Sequence, residues 1–402
     1  MPTNNTPAGF DALGLPDFVL RKLSKLGFDK PTPIQQQAIP ELMEGRDVVG
    51  IAQTGTGKTL AFALPMIACL EKGDLGLILA PTRELAHQIE EVYRKLGVHS
   101  TLIVGGAPMR LQVQALKSAP DVIVATPGRL LDHIEHRTID LRCVTMLVLD
   151  EADRMLDMGF LPAIKRIIAD TYDDRQTMLF SATMPHEIAN LAKQYMYEPE
   201  WVAVSQSGDT IDEIEQEMIV VSKDKKLSVL KSILRDYRGT ILVFSRTRHG
   251  ARKLARMVRN QGHSVAEIHA DRTLIQRRAA MEGFKKGRYR ILIATDIAAR
   301  GIDVKDIGMV LNFDVPNSPE DYVHRIGRTG RAGSSGIAVT IATPDQHEEV
   351  RGIEKFISAQ IPMSDRFEGG FAAVQPKPRA RGGRRKPGTR WRSARRGRAN
   401  AS

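Results

Sequence analysis

The sequence has few cysteines, few aromatic residues and no long apolar run. Its two cysteines, Cys69 and Cys143, lie far apart without metal-ligand spacing, which argues against a disulfide scaffold or a zinc site and indicates a reducing compartment. No apolar run approaches the roughly 18 residues of a membrane span. The opening stretch MPTNNTPAGF has neither a basic start nor an apolar core, so we expect no signal peptide. These absences predict a cytoplasmic protein without a membrane segment.

Most of the chain also lacks an excess of either charge. The formal net charge is +11, but eleven of the 58 Lys and Arg residues lie between 369 and 402, where Asp and Glu are absent. The remainder therefore has 47 basic and 47 acidic residues and a net charge of zero. The basic character belongs to this Gly-, Pro- and Arg-rich end, and we predict that 363–402 is a disordered tail.

Short apolar runs alternate with helix-like segments throughout the 402 residues. This alternation predicts an α/β fold with parallel strands in open sheets covered by helices on both faces, and the length favours two domains. The polar stretch 205–216 interrupts the alternation. We predict a flexible N-terminus (1–9), a first domain (10–205), a linker (206–212) and a second domain (213–362). The apolar runs are 47–52, 75–81, 101–106, 121–127, 146–153, 177–183, 240–245, 263–270, 289–296, 307–314 and 336–343.

The stretch AQTGTGKT follows an apolar run and precedes a helix-compatible segment. A glycine-rich turn that enters a helix points backbone N–H groups at phosphates. Lys58 can then neutralise β- and γ-phosphate charge, and the Thr59 hydroxyl can ligate Mg²⁺. Ala52 stands where the general pattern has glycine, and a chance Gly/Thr turn is the alternative interpretation. The predicted phosphate-loop residues are Gln53, Thr54, Gly55, Thr56, Gly57, Lys58 and Thr59.

The apolar run MLVL leads directly into the acidic stretch DEAD. Ligands of open parallel sheets bind at the carboxyl ends of the strands, so these carboxylates lie where a ligand would. A nucleotide-bound Mg²⁺ needs an outer carboxylate, for which Asp150 is suited, and hydrolysis needs a base that positions water, for which Glu151 is suited. Asp153 is predicted to hold interdomain contacts. The alternative is an acidic helix N-terminus stabilised by the helix dipole.

The motifs AQTGTGKT, DEAD, SAT (181–183) and HRIGRTGR (324–331) occur in the order and spacing of a known family. Over about residues 10 to 345 the chain resembles the DEAD-box RNA helicases, most closely their short bacterial members with a basic tail. The resemblance implies two tandem RecA-like domains that close on ATP, Mg²⁺ and single-stranded RNA. It further implies a monomer that unwinds short duplexes locally.

The resemblance also assigns an adenine site. GFDKPTPIQ (27–35) matches the family's adenine-binding motif, so Gln35 would read the base edge with its amide. Phe10 matches the upstream aromatic residue that stacks on the base. Asp303 would lie near the ribose.

Further catalytic roles come from the same resemblance. Arg328 and Arg331 match the arginine fingers, which reach across the cleft to the γ-phosphate and stabilise transition-state charge. Ser181 and Thr183 would link the acidic motif to His324, which couples hydrolysis to RNA binding.

The RNA contacts implied by the family would be directed at the backbone, which explains tolerance of any base sequence. The stretches concerned are PTRELA, GG and TPGR in the first half, and FSRT and ATDIAARGID in the second. One departure is Leu274, where many relatives have Gln, although Arg277 matches the following Arg. The predicted RNA-binding residues are Thr82, Arg83, Gly105, Gly106, Thr126, Arg129, Arg246 and Thr295.

The segment 376–398 combines dense Arg with a single aromatic residue, Trp391. It is predicted to be a flexible RNA tether in which Trp391 can stack on a base. A solvated, non-specific tail or one that binds another acidic partner is the alternative.

Three functions remain open at the level of sequence. The first is an ATP-dependent RNA helicase that unwinds short duplexes. The second is an ATP-gated RNA clamp or assembly scaffold with little unwinding. The third is a DNA helicase of the same superfamily, which the acidic motif and HRIGRTGR disfavour.

Overall fold

The computed structural model describes residues 9–53, 55–204, 214–299, 307–330 and 336–364. Predictions for Thr54, Asp303 and Arg331 lie outside the described residues. So do the linker 206–212 and all of the predicted tail beyond residue 364.

The first sheet has seven parallel strands within the described residues. In chain order they are β1 (Val48–Ile51), β2 (Leu75–Leu79), β3 (Ser100–Ile103), β4 (Val122–Ala125), β5 (Val144–Asp150), β6 (Gln176–Ser181) and β7 (Glu200–Ala203). Their spatial order is β3-β4-β2-β5-β6-β1-β7. Successive strand residues point to opposite faces, so Val148 packs into one core while Leu147 and Leu149 pack into the other. This is the predicted sheet with helices on both faces.

The second sheet has six parallel strands in the part of the chain that the structure describes. They are β8 (Ile214–Val220), β9 (Ile241–Phe244), β10 (Val265–Ile268), β11 (Ile291–Ala294), β12 (Met309–Asn312) and β13 (Gly336–Ala342). Their spatial order is β10-β11-β9-β12-β13-β8. Apart from β7, this order repeats that of the first sheet strand for strand, so β8 occupies the place of β1 and β12 the place of β5.

Helices connect the strands and cover both faces of each sheet. Around the first sheet are α1 (Asp17–Lys25), α2 (Pro33–Met43), α3 (Lys58–Cys69), α4 (Arg83–Lys95), α5 (Met109–Leu116), α6 (Pro127–Glu135), α7 (Ala152–Asp157), α8 (Leu161–Ala169) and α9 (His186–Tyr195), preceded by a 3₁₀ turn (Phe10–Leu13). Around the second are α10 (Lys226–Asp236), α11 (Arg248–Asn260), α12 (Leu274–Lys285), α13 (Asp296–Ala299), α14 (Pro319–Ile326) and α15 (His347–Phe356), with a 3₁₀ turn (Pro344–Gln346).

Every predicted apolar run overlaps a strand, but the sequence pattern did not indicate two further strands. β7 and β8 each form one edge of a sheet. In β7 only Val202 is buried, and β8 places the exposed Glu215 and the half-buried Gln216 among its apolar residues, so their sequences, EWVA and IEQEMIV, mix polar and apolar residues. β8 begins inside the polar stretch 205–216. Met218 of β8 also pairs with Met363 on its outer side, which brings residue 364 into the second domain's sheet.

Candidate nucleotide and RNA site

The phosphate loop connects the end of β1 to the first residue of α3, Lys58. Gly57 has a φ of +92°, and a Cβ at this position would lie 2.5 Å from the Gln35 Nε2 and 2.9 Å from the Thr32 Oγ1. Both the backbone conformation and the close approach therefore require glycine. The Thr56 hydroxyl donates to the Gln53 carbonyl at 2.8 Å, which holds the turn before the helix.

Lys58 is only 6% exposed, and its Nζ has no hydrogen-bond partner among the described residues. A buried ammonium without a partner is costly, so this position suits an anionic ligand. Asp150 lies close by at the end of β5. Burial raises the pKa of Asp150 to about 7, against the opposing effect of the Lys58 charge. Thr59, the second residue of α3, completes the predicted phosphate and Mg²⁺ set at this edge.

Glu151 follows Asp150 in a sharp turn. It has a φ of +53°, the left-handed region that a non-glycine residue rarely adopts. The turn is held by the Glu151 amide, which donates to the Asp150 Oδ1 at 2.9 Å. The Glu151 Oε2 accepts from the Arg154 Nη1 at 2.8 Å, and both side chains of this pair are buried. The strained turn thus presents two buried carboxylates side by side.

Asp153 joins the acidic motif to the SAT motif of β6. The Ser181 Oγ accepts from the Asp153 amide at 3.1 Å, and the Asp153 Oδ2 accepts from the Thr183 hydroxyl at 2.9 Å and the Thr183 amide at 2.8 Å. Burial alone would raise the pKa of Asp153, but the charges of Lys58 and His324 hold it below its usual value. The hydrogen bonds of Asp153 thus lie within the first domain, whereas His324, which belongs to the second domain, lowers the pKa of its carboxyl group.

Gln35 and Phe10, the predicted adenine-site residues, are both buried. The Gln35 Oε1 accepts from the Thr32 amide and its Nε2 donates to the Gly57 carbonyl, each at 2.9 Å, so this side chain braces the phosphate loop. Phe10 is 5% exposed and shares an apolar cluster with Leu60 and Leu64 of α3. Their contacts with a base stay predictions.

Helix α14 brings HRIGR to the first domain. His324 lies in its last turn, and the buried Arg328 follows it, with its Nε donating to the His324 carbonyl at 3.3 Å. His324 and Arg328 line a small interdomain cavity together with Arg154. A neighbouring cleft of about 230 Å³ lies between Gln53 and Thr183 on one side and α14 and Phe356 on the other. The phosphate loop therefore faces the second domain.

Sequence reasoning missed Arg325, which fixes this helix. Its guanidinium is 2% exposed and pairs with both Asp296 oxygens, at 2.5 and 2.8 Å. It also donates to the Asn312 side chain and the Asp314 carbonyl and lies 5.0 Å from the Phe244 ring centroid. Its position next to His324 in the HRIGRTGR motif is the sequence feature that could have indicated its importance.

The predicted RNA contacts of the first domain lie at the carboxyl ends of β2, β3 and β4. The Thr82 hydroxyl caps α4 by accepting from the Leu85 amide at 3.2 Å. Arg83 packs against the Gly105–Gly106 turn, where any side chain would collide with its guanidinium. Thr126 precedes α6, and Arg129 donates to the carbonyls of the 104–107 turn. One edge of the sheet thus collects all six residues.

The second domain presents Arg246 and Thr295 at the corresponding edge. Thr295 follows β11, and its amide donates to the Ile268 carbonyl at 3.2 Å. Arg246 follows β9; its amide donates to the Asp314 Oδ2 at 2.9 Å and its Nη2 to the Val315 carbonyl at 3.1 Å. Near this edge, Arg277 forms an ion pair with Glu84 of the first domain at 3.0 Å. The side chain of Leu274 lies outside the described residues.

Two family models match the chain. The model described as DEAD/DEAH box helicase covers residues 32–191, and the helicase conserved C-terminal domain covers 225–333. The chain belongs to the DEAD-box ATP-dependent RNA helicase family. The predicted family is thereby confirmed, and the motifs that indicated it lie inside the matched ranges.

The similarity to known relatives extends well beyond the motifs. CshA from Bacillus cereus is 42% identical over 368 residues, which cover 89% of this chain and 69% of the relative. CshA from Limosilactobacillus reuteri is 44% identical over 361 residues, covering 88% and 72%. Helicase 30 from Arabidopsis thaliana is 45% identical, but the chain spans only 61% of its length.

Solved structures confirm the tandem RecA-like fold. S. cerevisiae Dbp5 bound to RNA and ADP-BeF₃ is 32% identical, with a TM-score of 0.79 over 89% of this chain and 96% of Dbp5. Mss116p bound to single-stranded RNA and AMP-PNP is 29% identical, with a TM-score of 0.81 over 90% and 80%. Within the described residues, no helix is long and apolar enough to cross a membrane.

Proposed function

We propose that this helicase hydrolyses ATP when RNA is bound and uses closure of its two domains to separate short RNA duplexes. One observation carries the proposal. Lys58, buried and without a hydrogen-bond partner among the described residues, lies beside the Asp150–Glu151 turn, and the phosphate loop faces the domain that holds Arg328. This arrangement supports a phosphate site, a base and a transition-state cation that would come from two domains.

The first domain would bind the nucleotide and prepare the water. Lys58 and the loop amides would hold the phosphates, with Gln35 and Phe10 at the adenine. The Thr59 hydroxyl and Asp150 would hold Mg²⁺, which neutralises phosphate charge when bound. The described residues contain no cluster of three or more metal-ligating side chains, which fits an ion bound mainly by phosphates and water. The Glu151 carboxylate would position the attacking water and accept its proton.

The second domain would complete the site only on closure. Arg328 and Arg331 would stabilise charge at the γ-phosphate, a contribution of roughly 10³–10⁵ in rate. The Ser181 hydroxyl accepts from the Asp153 amide, and the Thr183 hydroxyl donates to the Asp153 carboxylate, whose pKa is lowered by the His324 charge. We infer that this chain of contacts transmits domain closure to the Asp150–Glu151 turn. Asp303 would contact the ribose.

RNA would bind along the carboxyl edges of both sheets. The phosphates would be contacted by Arg83, Arg129 and Arg246, and by the Thr82, Thr126 and Thr295 side chains. The Gly105–Gly106 turn leaves room for the Arg83 guanidinium, and its backbone would also contact the strand. We propose a cytoplasmic monomer whose tail tethers RNA.

Steady-state ATPase assays without nucleic acid, with single-stranded RNA and with DNA of the same sequence test this function. We expect strong stimulation by RNA only. Equal stimulation by DNA would indicate a DNA helicase, and fast turnover without nucleic acid would contradict RNA-coupled closure. Separation of a short RNA duplex then distinguishes a helicase from an ATP-gated clamp, which would hold the strands without unwinding.

A further inference from the structure

The second domain contains a counterpart of the phosphate loop. Because β8 occupies the place of β1 and β12 that of β5, the β8–α10 connection corresponds to the β1–α3 connection. Helix α10 begins with Lys226, as α3 begins with Lys58, and both lysines are 6% exposed. Asp314 follows β12, as Asp150 ends β5. The second domain thus repeats the lysine and the carboxylate of the nucleotide site.

The two lysines differ in what they bind. The Lys226 Nζ donates to the Phe313 carbonyl at 2.8 Å and lies 3.7 Å from the Asp314 Oδ1. The connection 221–225 reads VSKDK and has no glycine, so it lacks the conformational freedom of the first domain's loop. Because its buried ammonium is already satisfied by the protein, this copy is poorly suited to a triphosphate.

A cavity of about 480 Å³ nevertheless lies above Lys226. Exposed cations line its rim, and one wall is formed by Leu227, Leu254 and Met257. The N-terminus of α11, capped by the Thr247 hydroxyl, opens into it. The lining cations are Lys223, Lys226, Arg246 and Lys253, and the lining carboxylates are Asp314 and Asp345.

The two lining carboxylates do not cancel the positive charge of the cavity, so it still attracts an anion. The Asp314 Oδ2 accepts from the Ser245 hydroxyl and the Arg246 amide, so it is occupied within the domain. Because Lys226 and Asp314 are paired with each other, three exposed cations, Lys223, Arg246 and Lys253, face the cavity against the single carboxylate of Asp345. A phosphate among the rim cations, with the flat face of a base against the aliphatic wall, is the chemistry of one nucleotide unit.

We propose that this cavity binds one nucleotide of the RNA strand, beyond the contacts made at the sheet edges. The inference rests on the proposed RNA-binding role of Arg246, which belongs both to that path and to the cavity rim. The phosphate would lie between Lys223, Lys253 and the amino end of α11, and the base would lie on the half-buried Leu227 and Met257. The pocket would add one nucleotide to the length of RNA that the protein contacts, rather than bind a second free nucleotide.

The test compares two variants of the full chain on single-stranded RNAs of increasing length. Lys223→Ala/Lys253→Ala removes two rim cations, while Arg256→Ala/Arg259→Ala removes two exposed cations of α11 that do not line the cavity. We expect the rim variant to bind the shortest RNAs like the unchanged chain but to lose the affinity gained with length. Its salt dependence on long RNA should fall by about 0.7 in log–log slope for each phosphate that is no longer neutralised.

Equal binding by the rim variant and the unchanged chain at every length would overturn the proposal, as would equal losses of affinity in both variants. If the unchanged chain shows RNA-stimulated ATPase in these same preparations, such a result rejects the pocket and leaves the proposed function intact. A free nucleotide such as ATP has the same phosphate and base groups and could occupy the cavity instead of RNA. Equilibrium dialysis of ATP against Lys58→Ala, with and without the rim substitutions, tests it: residual ATP binding that depends on the rim would overturn the assignment to RNA.

Discussion

The Arg277 Nη1 of the second domain lies 3.0 Å from the Glu84 Oε1 of the first. The two side chains are 12% and 14% exposed, so the pair is largely shielded from water. Glu84 follows Arg83 at the start of α4, and Arg277 lies on α12. This ion pair therefore ties the two domains together beside the proposed RNA path.

Reversing either charge should weaken closure on RNA. The pair is partly exposed, and either reversal replaces it with two like charges, so Glu84→Arg or Arg277→Glu should lower RNA-stimulated ATPase by about tenfold at limiting RNA. The double swap, Glu84→Arg with Arg277→Glu, should recover a large part of the activity. Double variants no better than the single ones would show that the pair does not set closure.

Lys58→Ala should abolish ATP binding and hydrolysis without harming the fold. The Lys58 ammonium is buried and has no hydrogen-bond partner in the described part of the chain, but its charge also acts on the buried Asp150 and Asp153 carboxylates. Because the cost of burying the ammonium and the loss of these attractions oppose each other, its removal should change the thermal midpoint little. Lys72→Ala, at an exposed position, is the matched control. ATP binding and thermal unfolding measured together check this, and a destabilised variant would mean that Lys58 has a structural role.

Glu151→Gln should retain ATP and RNA binding but stall turnover. The amide keeps the side-chain volume and can still accept from Arg154, but it cannot accept a proton from water. We expect a decrease of about 10²–10⁴ in the rate of hydrolysis and a long-lived complex with both ligands. Single-turnover hydrolysis and RNA dissociation kinetics measure the two effects. Normal hydrolysis would show that another group is the base.

Replacing Arg325 should destabilise the second domain and misplace Arg328. Removal of one partner from its buried pair with Asp296 should cost about 3–5 kcal/mol. Arg325→Lys keeps the charge but cannot make the bidentate contact, so we expect it to recover only part of the stability. Denaturant unfolding of the full chain, followed by RNA-stimulated ATPase, provides the measurement. An unchanged unfolding midpoint in Arg325→Ala would contradict the structural role.

Deleting residues 369–402 should weaken RNA binding because it removes eleven basic residues. The slope of log affinity against log salt should shrink by about 0.7 for each phosphate that the tail no longer neutralises. Turnover at saturating ATP and RNA should change little. Trp391→Ala in the full chain tests base stacking separately. An unchanged salt slope after deletion would reject the tether.

The family and the nucleotide motif were accessible from sequence because their residues are neighbours in the chain. AQTGTGKT and DEAD each work through consecutive backbone and side-chain groups, so a linear pattern contains most of the site. Arg325 was missed because its role depends on Asp296 and Asn312, which come from other elements. The strands β7 and β8 were missed because each mixes polar and apolar residues and so gives a weak apolar pattern.

Local stretches of sequence suffice to predict two parallel sheets, their covering helices and the edge at which ligands bind. The reason is that the spacing of apolar residues, which distinguishes strands from helices, is visible within each stretch. Which distant residues meet depends instead on the packed molecule. Packing joins Gln35 to Gly57, Asp153 to Thr183 and Glu84 to Arg277, and it makes Lys226 a counterpart of Lys58. These contacts follow from how separate elements and domains fit together, and no spacing along the chain specifies that fit.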